Sequence, residues 1–344
     1  MDGAVALALP GARNLITDVP GLRVGQAQDG DVRTGVTVIL PDERAVCAVD
    51  VRGGAPGTRE TDALAPENLV DAVDAVVLSG GSVYGLGAAD GVVAWLGARG
   101  RGFSLAASPE VPPSPVVPAA ILFDMANGGV KAWGETPPYG ALGQAAAAAA
   151  GLDFDLGTVG AGYGAMAGAL KGGVGSASMV SADGFTVGAL AAVNSWGSVV
   201  APGGRTFWAA PFEVGDEFGG LGPAGLRAAA EEWGLAKGAT APRNTTIACV
   251  ATDVALSPVQ AKRLAVMAQD GLARAIRPIH APFDGDVVFA LSTGRKPCPE
   301  PAALTVARLG SLCADALARA VARAAYVATP WPGTDVPCWS DLPG

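Results

Sequence analysis

Residues 243–253 read RNTTIACVATD and carry the chain from a loop rich in glycine, alanine and proline directly into an apolar, strand-like segment. A threonine hydroxyl is a poor nucleophile at neutral pH and normally needs an adjacent base. Cleavage between Asn244 and Thr245 would supply that base, because the freed α-amino group, with a pKa of about 7.7–8.0, lies on the same residue as the hydroxyl. Our hypothesis is that the chain cuts itself before Thr245. The alternative is an ordinary strand that opens with two threonines, and spacing alone does not separate these interpretations.

The composition is that of a folded, apolar protein with an acidic surplus. The chain has 344 residues, of which 50% are hydrophobic, and its mean hydropathy is +0.35. This is enough for a large buried core, in one large domain or two ordinary ones. Only 16% of the residues are charged and the net charge is -9, which disfavours nucleic acids and anionic membranes as partners. Substrates that are neutral or carry an amine fit this balance better.

The cysteines and the single histidine limit the chemistry further. Five cysteines are scattered along the chain without a C-x-x-C pair and with no signal peptide before them, so we expect reduced thiols in the cytoplasm. They are Cys47, Cys249, Cys298, Cys313 and Cys338. No apolar stretch reaches the roughly 20 residues that a membrane span requires. One histidine cannot form a two-histidine zinc helix, and no phosphate-binding glycine loop is present, so we expect neither a metal nor another cofactor.

Strand and helix patterns alternate along the chain with no internal repeat and no linker, which indicates one α/β domain. Apolar and β-branched runs predict strands at residues 21–25, 34–40, 45–51, 75–78, 119–124, 176–180, 186–193, 245–254 and 286–292. Propensity and periodicity predict helices at residues 83–98, 140–150, 224–233, 258–276 and 302–327. Ser82 is the expected N-cap of the first helix, and Ser257 followed by Pro258 is the expected start of the fourth.

Three polar residues are candidates to act beside Thr245. Asp284 and Asp286 are two positions apart at the start of a strand, so an extended backbone would point both carboxylates to the same side. Such a pair could hold an ammonium group, and mutual repulsion would raise one of the two pKa values. Asn194 ends a buried strand, where a polar residue is often functional. The alternatives are an Asp-Gly-Asp turn and an ordinary turn after the strand.

Seven motifs along the chain carry the resemblance to one known family, and the last three of them also lie at the separations that such a family shows. They are NLITDVPGLRVG (14–25), RGGAPGT (52–58), LSGGS (78–82), KGGVGSAS (171–178), NTTI (244–247), VALSPV (254–259) and RPIHAPFDGD (277–286). From residue 14 to about residue 325, the chain resembles the peptidase P1 family, the autoprocessing hydrolases that include the DmpA-type aminopeptidases and the nylon-oligomer hydrolases.

The resemblance implies a fold and a maturation route. The fold is a four-layer α/β/β/α sandwich of the DmpA type, N-terminal-nucleophile-like, with Thr245 at the edge of a central strand. Residues 1–344 would form a single autoprocessed domain, cut into fragments 1–244 and 245–344. Thr245 would then attack the substrate carbonyl through an acyl-enzyme. The processed units would assemble into a homo-oligomer, a tetramer by resemblance.

The resemblance also implies roles for the polar candidates. Asn194 matches the asparagine that donates to the oxyanion, a role in which one preorganised donor is worth roughly 3–4 kcal/mol. Asp284 and Asp286 match the two carboxylates of the nylon-oligomer hydrolases, whereas DmpA-like members have Ser and Glu at these positions.

Two positions depart from the family pattern. In the family, the catalytic lysine commonly follows a glycine of a Gly-Ala-Gly segment. Here Gly168 is followed by Ala169, and Lys171 comes two residues after Ala169. Lys171 is therefore the candidate lysine, although it also matches a separate Lys-Gly-Gly element. Where some relatives have Tyr before an Asp, this chain has Phe123 before Asp124, so a tyrosine hydroxyl is missing.

The remaining reactive side chains have structural interpretations. No G-x-S-x-G elbow presents a serine to His280, so we expect His280 to orient the turn at residues 282–286. Cys249, inside the strand that follows Thr245, is expected to be a small core residue.

We expect the protein to hydrolyse linear amide bonds in a small peptide or amide substrate. N-terminal aminopeptidase activity is slightly favoured over endo-amidase activity. The charged residues expected around Thr245 are mostly acidic, which favours a substrate with a free amine. They are Asp253, Asp284 and Asp286, against Lys171 and Arg243. The alternatives are an endo-acting amidase on 6-aminohexanoate oligomers, an acyltransferase of the ornithine acetyltransferase type, and an unprocessed structural or binding homologue.

Overall fold

Two five-stranded sheets lie face to face in the computed structural model, which describes residues 7–104, 108, 110–238 and 244–343. The strands are β1 (Leu22–Asp29), β2 (Thr34–Pro41), β3 (Val46–Val51), β4 (Thr58–Arg59), β5 (Val76–Ser79), β6 (Ala119–Ile121), β7 (Met166–Ala167), β8 (Leu170–Lys171), β9 (Gly173–Val180), β10 (Thr186–Asn194), β11 (Thr245–Val254) and β12 (Val287–Lys296). The helices are α1 (Ala88–Gly97), α2 (Tyr139–Ala148), α3 (Pro258–Ala275) and α4 (Ala302–Tyr326). The first sheet has the order β1-β2-β5-β6-β4, the second has the order β3-β12-β11-β10-β9, and β7 pairs with β8 as a short hairpin.

Strand β11 is the centre of the second sheet, and both of its faces are buried. Ile247 and Cys249 point into the core between the two sheets, whereas Ala248 and Val250 point toward the helices. A strand that is covered on both sides must be apolar at almost every position, which explains the continuous apolar run of this segment.

The directions of β10, β11 and β12 bring one end of each strand to the same end of the sheet. Strand β10 pairs with β11 antiparallel and β12 pairs with it parallel. The last residue of β10 therefore lies beside the first residues of β11 and β12, because only the direction of β10 is reversed.

Helices cover the outer face of each sheet. Helices α1 and α2 pack on the first sheet, and α3 and α4 pack on the second. Helix α3 begins as predicted, with Pro258 in its first turn and a capping box in which Ser257 and Gln260 exchange hydrogen bonds. The predicted four-layer α/β/β/α sandwich is confirmed. None of the helices in the described ranges is long and apolar enough to cross a membrane.

Two local predictions are wrong. Residues 224–233 form turns instead of a helix, and Gly225 there has a φ of 79°, which breaks helical geometry. Ser82 does not cap α1 either. It has a φ of 53° and begins a 3-10 helix, Ser82–Gly87, and α1 follows only from Ala88.

Candidate active site

Thr245 is the first residue of β11 and lies directly opposite Asn194, the last residue of β10. Because side chains alternate along a strand, Thr245 faces the layer between the sheets, as Ile247 does. Asn194 faces the same layer, as Leu190 does. Both residues are buried in the intact chain, with 4% and 2% of their surface exposed. The register of two strands thus brings the predicted nucleophile and the predicted oxyanion donor together.

The carbonyl group of Asn244, which would be cleaved, accepts two hydrogen bonds. The Thr245 hydroxyl donates to its oxygen, and so does the backbone N–H of Gly285, at 3.0 Å. Donors aimed at a carbonyl oxygen stabilise the negative charge that develops there during attack. The peptide bond before Thr245 is therefore polarised by the loop that carries the two aspartates.

The amide of Asn194 is held in one orientation. Its Oδ1 accepts from the backbone N–H of Met166 at 2.9 Å and from the Nζ of Lys237 at 3.3 Å. Its Nδ2 donates to the carbonyl of Phe123 at 2.9 Å. Donors on the oxygen and an acceptor on the nitrogen favour this orientation of the amide, and the second Nδ2 hydrogen has no acceptor within the described residues.

Asp286 anchors the start of β11 to the loop before β12. Its Oδ1 accepts from the backbone N–H of Thr246 at 2.8 Å. Its Oδ2 accepts from the backbone N–H of His280 at 3.1 Å and contacts Nδ1 of the same residue at 2.8 Å. The predicted orienting role of His280 thus has a geometric basis, since His280 binds the buried carboxylate directly.

Asp284 has weaker partners and a perturbed acidity. Its Oδ2 accepts from the backbone N–H of Ala281 at 3.0 Å, and its Oδ1 accepts from that of Trp196 at 3.4 Å. Burial, and next to it the charge of Asp286, raise the pKa of Asp284 to about 6. Asp284 is thus protonated more readily than an ordinary aspartate.

The loop that carries the two aspartates passes close to Thr245 and to the turn at Gly53. A Cβ on Gly285 would lie 2.7 Å from the Thr245 hydroxyl oxygen, and one on Gly53 would lie 2.3 Å from the carbonyl oxygen of Asp284. The turn that contains Gly53 also donates from the Ala55 N–H to that carbonyl, at 2.8 Å. The motifs at residues 52–58 and 277–286, which are far apart in sequence, therefore form one structural unit beside Thr245.

Lys171 lies near the site but has other partners. Its Nζ donates to the carbonyls of Gly162, Ala165 and Gly172 at 3.2, 3.0 and 2.6 Å. Burial lowers the pKa of this amine to about 7. Within the described ranges, no hydrogen bond joins Lys171 to Thr245, so its catalytic role stays a prediction without a direct contact.

Sequence reasoning missed Lys237. Its Nζ lies 3.3 Å from both the backbone carbonyl and the Oδ1 of Asn194. Burial lowers the pKa of this amine to about 7, and the charge of Asp284 acts in the opposite direction. Only one sequence feature pointed to this residue, which is the one lysine between residues 201 and 243.

Other predicted neighbours of Thr245 lie elsewhere. Asp253 is at the opposite end of β11, about 26 Å away along the strand, where it accepts from the backbone N–H of Thr186 and pairs with Lys296, both at 2.9 Å. The expectation that it surrounds Thr245 is wrong, because a strand separates its two ends. Arg243 lies outside the described residues. Cys249 is buried between the sheets, and burial raises the pKa of its thiol well above the usual range.

Comparison with known proteins gives consistent matches. Residues 14–337 match the model of Peptidase family S58. An uncharacterized aminopeptidase of Mycobacterium tuberculosis (strain ATCC 25618 / H37Rv) is 48% identical over 347 residues, which cover 96% of this chain and 98% of that protein. A 6-aminohexanoate-oligomer endohydrolase of Kocuria sp. (strain KY2) is 30% identical over 305 residues, which cover 82% of this chain and 76% of that protein.

A solved structure supports the fold. The structure of the L-aminopeptidase D-Ala-esterase/amidase from Ochrobactrum anthropi, described as a variant among the Ntn hydrolase fold, matches with a TM-score of 0.70 and 22% identity. The match covers 96% of this chain and 91% of that one. The predicted DmpA-type, N-terminal-nucleophile fold is thereby confirmed.

Proposed function

The chain belongs to peptidase family S58, as its motifs predicted, and is a hydrolase of peptide or amide bonds; we propose that it cuts itself between Asn244 and Thr245 and then acts as an N-terminal-threonine aminopeptidase. The observation that carries this proposal is the position of Thr245. Its hydroxyl is hydrogen-bonded to the carbonyl of Asn244, and Asn194 and the aspartate loop lie on either side.

After cleavage, the free amine of Thr245 would act as the base for its own hydroxyl. The amine takes the hydroxyl proton as Oγ1 bonds to the substrate carbonyl carbon, and the second Nδ2 hydrogen of Asn194 stabilises the oxyanion. Collapse of this intermediate expels the substrate amine, which takes the proton, and leaves an ester on Thr245. Water then hydrolyses the ester and releases the acid, which restores the enzyme.

Substrate class is proposed from the charge at the site and from the relatives. The carboxylates of Asp284 and Asp286 beside Thr245 favour a substrate with a free amine. The similarity to an enzyme named aminopeptidase agrees with this preference. The similarity to a 6-aminohexanoate-oligomer endohydrolase, together with the two aspartates, favours endo-acting amide hydrolysis as the second candidate.

Intact mass and N-terminal sequencing of the purified protein test the self-cleavage. We expect fragments 1–244 and 245–344, with Thr at the start of the smaller one. Thr245→Ala should remain one chain and be inactive. The matched control is Thr252→Ala on the same strand, where the hydroxyl donates to the carbonyl of Thr186, and this variant should still be cleaved. An active wild-type enzyme that shows only a full-length chain would contradict the mechanism.

Substrate assays separate the candidates. A small amino-acid anilide should be hydrolysed faster than its N-acetylated form if the free amine is recognised. If blocking the amine leaves the rate intact, the endo-acting alternative takes the place of the aminopeptidase. An acyltransferase would instead form a new amide when a second amine is added. A homo-oligomer of processed units remains part of the proposal, and light scattering measures it directly.

A further inference from the structure

Residues 233–238 pack against two segments next to the candidate site, those of Trp196 and Ala169. The backbone N–H of Lys237 donates to the carbonyl of Trp196 at 2.9 Å, and the N–H of Ala169 donates to the carbonyl of Leu235 at 2.7 Å. The rings of Trp233 and Trp196 contact each other edge to face, with centroids 5.0 Å apart. Backbone bonds on both sides of this segment therefore fix where the Lys237 side chain begins.

The Lys237 amine reaches the residue that pairs with Thr245. Its Nζ lies 3.3 Å from the backbone carbonyl of Asn194 and 3.3 Å from its Oδ1. In β-sheet pairing, directly opposite residues have Cα atoms about 4.5–5.5 Å apart. The Lys237 amine therefore lies against the residue directly opposite Thr245.

The intact chain lacks the base that the mature enzyme would use. Before cleavage, the nitrogen of Thr245 belongs to a peptide bond and cannot accept a proton. Another group must take the hydroxyl proton when Oγ1 attacks the carbonyl of Asn244.

The other titratable groups near Thr245 already have partners. Asp286 accepts from the backbone N–H groups of Thr246 and His280 and also contacts the His280 ring. Asp284 accepts from two backbone N–H groups. Lys171 donates to three backbone carbonyls. Among the described residues, the Lys237 amine makes its two hydrogen-bond contacts at 3.3 Å, both to Asn194, and the charge of Asp284 acts on it.

We propose that Lys237 is the base for the self-cleavage step, an inference that rests on the proposed function. The neutral Nζ takes the Thr245 hydroxyl proton as Oγ1 bonds to the carbonyl carbon of Asn244, and the N–H of Gly285 holds the oxyanion. The bond from that carbon to the Thr245 nitrogen then breaks, and the nitrogen takes the proton from the Lys237 ammonium. Water hydrolyses the resulting ester, which leaves a carboxylate on Asn244 and a free amine on Thr245.

If Lys237 must be deprotonated to act as the base, the rate of self-cleavage rises with pH. The pKa of Lys237 is lowered to about 7 by burial, so its neutral fraction rises as the pH increases through 7. The ionised Asp284 opposes this shift, and Asp286, which contacts the His280 ring, acts on Asp284 through its charge. Asn194 on β10 and Met166 on β7 add no charge. Cleavage should therefore accelerate from pH 6 to pH 8.

Cleavage rates of newly translated full-length chain in a cell-free system test the proposal. Lys237→Met removes the base, and Lys237→Arg keeps the positive charge and the donors but cannot be deprotonated. Both variants should cleave about 10²–10⁴-fold more slowly than wild type. Lys262→Met is the matched control, because Lys262 pairs with Asp50 on another part of the sheet, and it should cleave at the wild-type rate.

The outcomes separate this proposal from the proposed function. If Lys237→Arg cleaves like wild type, the lysine only positions Asn194 and the proposal is overturned. If Lys237→Met does not fold, as judged by near-ultraviolet circular dichroism, the arginine variant and the wild-type pH profile decide. A wild-type rate that is flat between pH 6 and 8 also overturns the proposal while self-cleavage stands. A wild-type chain that is never cut overturns both.

Discussion

Replacing Asp286 by Asn tests whether the buried carboxylate organises the nucleophile. The substitution preserves shape but exchanges one carboxylate oxygen for an NH₂ group. Asp286 now accepts from the backbone N–H groups of Thr246 and His280 on different oxygens. Whichever way the new amide turns, its NH₂ group faces one of these buried N–H donors and leaves it without an acceptor.

The cost follows from those contacts. An unsatisfied buried donor costs about 1–3 kcal/mol, and the remaining bonds lose the extra strength of a charged acceptor, so Asp286→Asn should lower the free energy of unfolding by roughly 2–4 kcal/mol. Release of the Thr246 backbone also shifts the adjoining Thr245. A displacement of about 1 Å can cost roughly 10²-fold in rate, and we expect a loss of that order in turnover at pH 7.

The pH dependence of turnover in Asp286→Asn is a second, independent measurement of the role of Asp286. The negative charge of Asp286 helps to raise the pKa of Asp284. Removing that charge makes Asp284 easier to ionise, so its pKa falls, and the part of the activity profile that follows the ionisation of Asp284 moves to lower pH. Measuring turnover of an amino-acid anilide from pH 5 to pH 9 shows this directly.

Asp253→Asn is the matched control. Asp253 is also fully buried, at the far end of β11, and it binds the N–H of Thr186 and the amine of Lys296. Its substitution should cost similar stability in urea unfolding, yet leave turnover below the transition and the pH profile unchanged. Equal loss of turnover in both variants, or a wild-type profile in Asp286→Asn, would refute the assigned role of Asp286.

Two further predictions concern the groups around Thr245. Asn194→Ala should lower kcat by roughly 10²–10³-fold with little change in KM, because the donor acts mainly on the developing oxyanion; an unchanged kcat returns Asn194 to a turn-forming role. Gly285→Ala should block cleavage on a denaturing gel, since its methyl group would lie 2.7 Å from the Thr245 hydroxyl oxygen. Its control, Gly97→Ala in α1, has no atom within 4 Å of the new Cβ and should be cleaved normally.

Local sequence predicted the elements that depend on near neighbours. The apolar run after Thr245 forms the central strand β11, and Ser257 with Pro258 begins α3. Both elements depend on residues that are adjacent in sequence, a continuous apolar run for the strand and a capping residue for the helix. The helix expected at residues 224–233 is absent. There, alanine propensity had no apolar face to bury, and glycine turns prevailed.

The sequence by itself determined which residue could be a nucleophile and which motifs accompany it, because an Asn-Thr pair at the start of a strand and an Asp-Gly-Asp turn are local patterns. Only the tertiary structure decided which charges reach Thr245. It placed Lys237 against Asn194, held Lys171 on three carbonyls, and put Asp253 at the far end of the strand. The physical reason is that charge–charge contacts depend on strand register and on long-range packing, and a register shift of one residue turns a side chain to the opposite face.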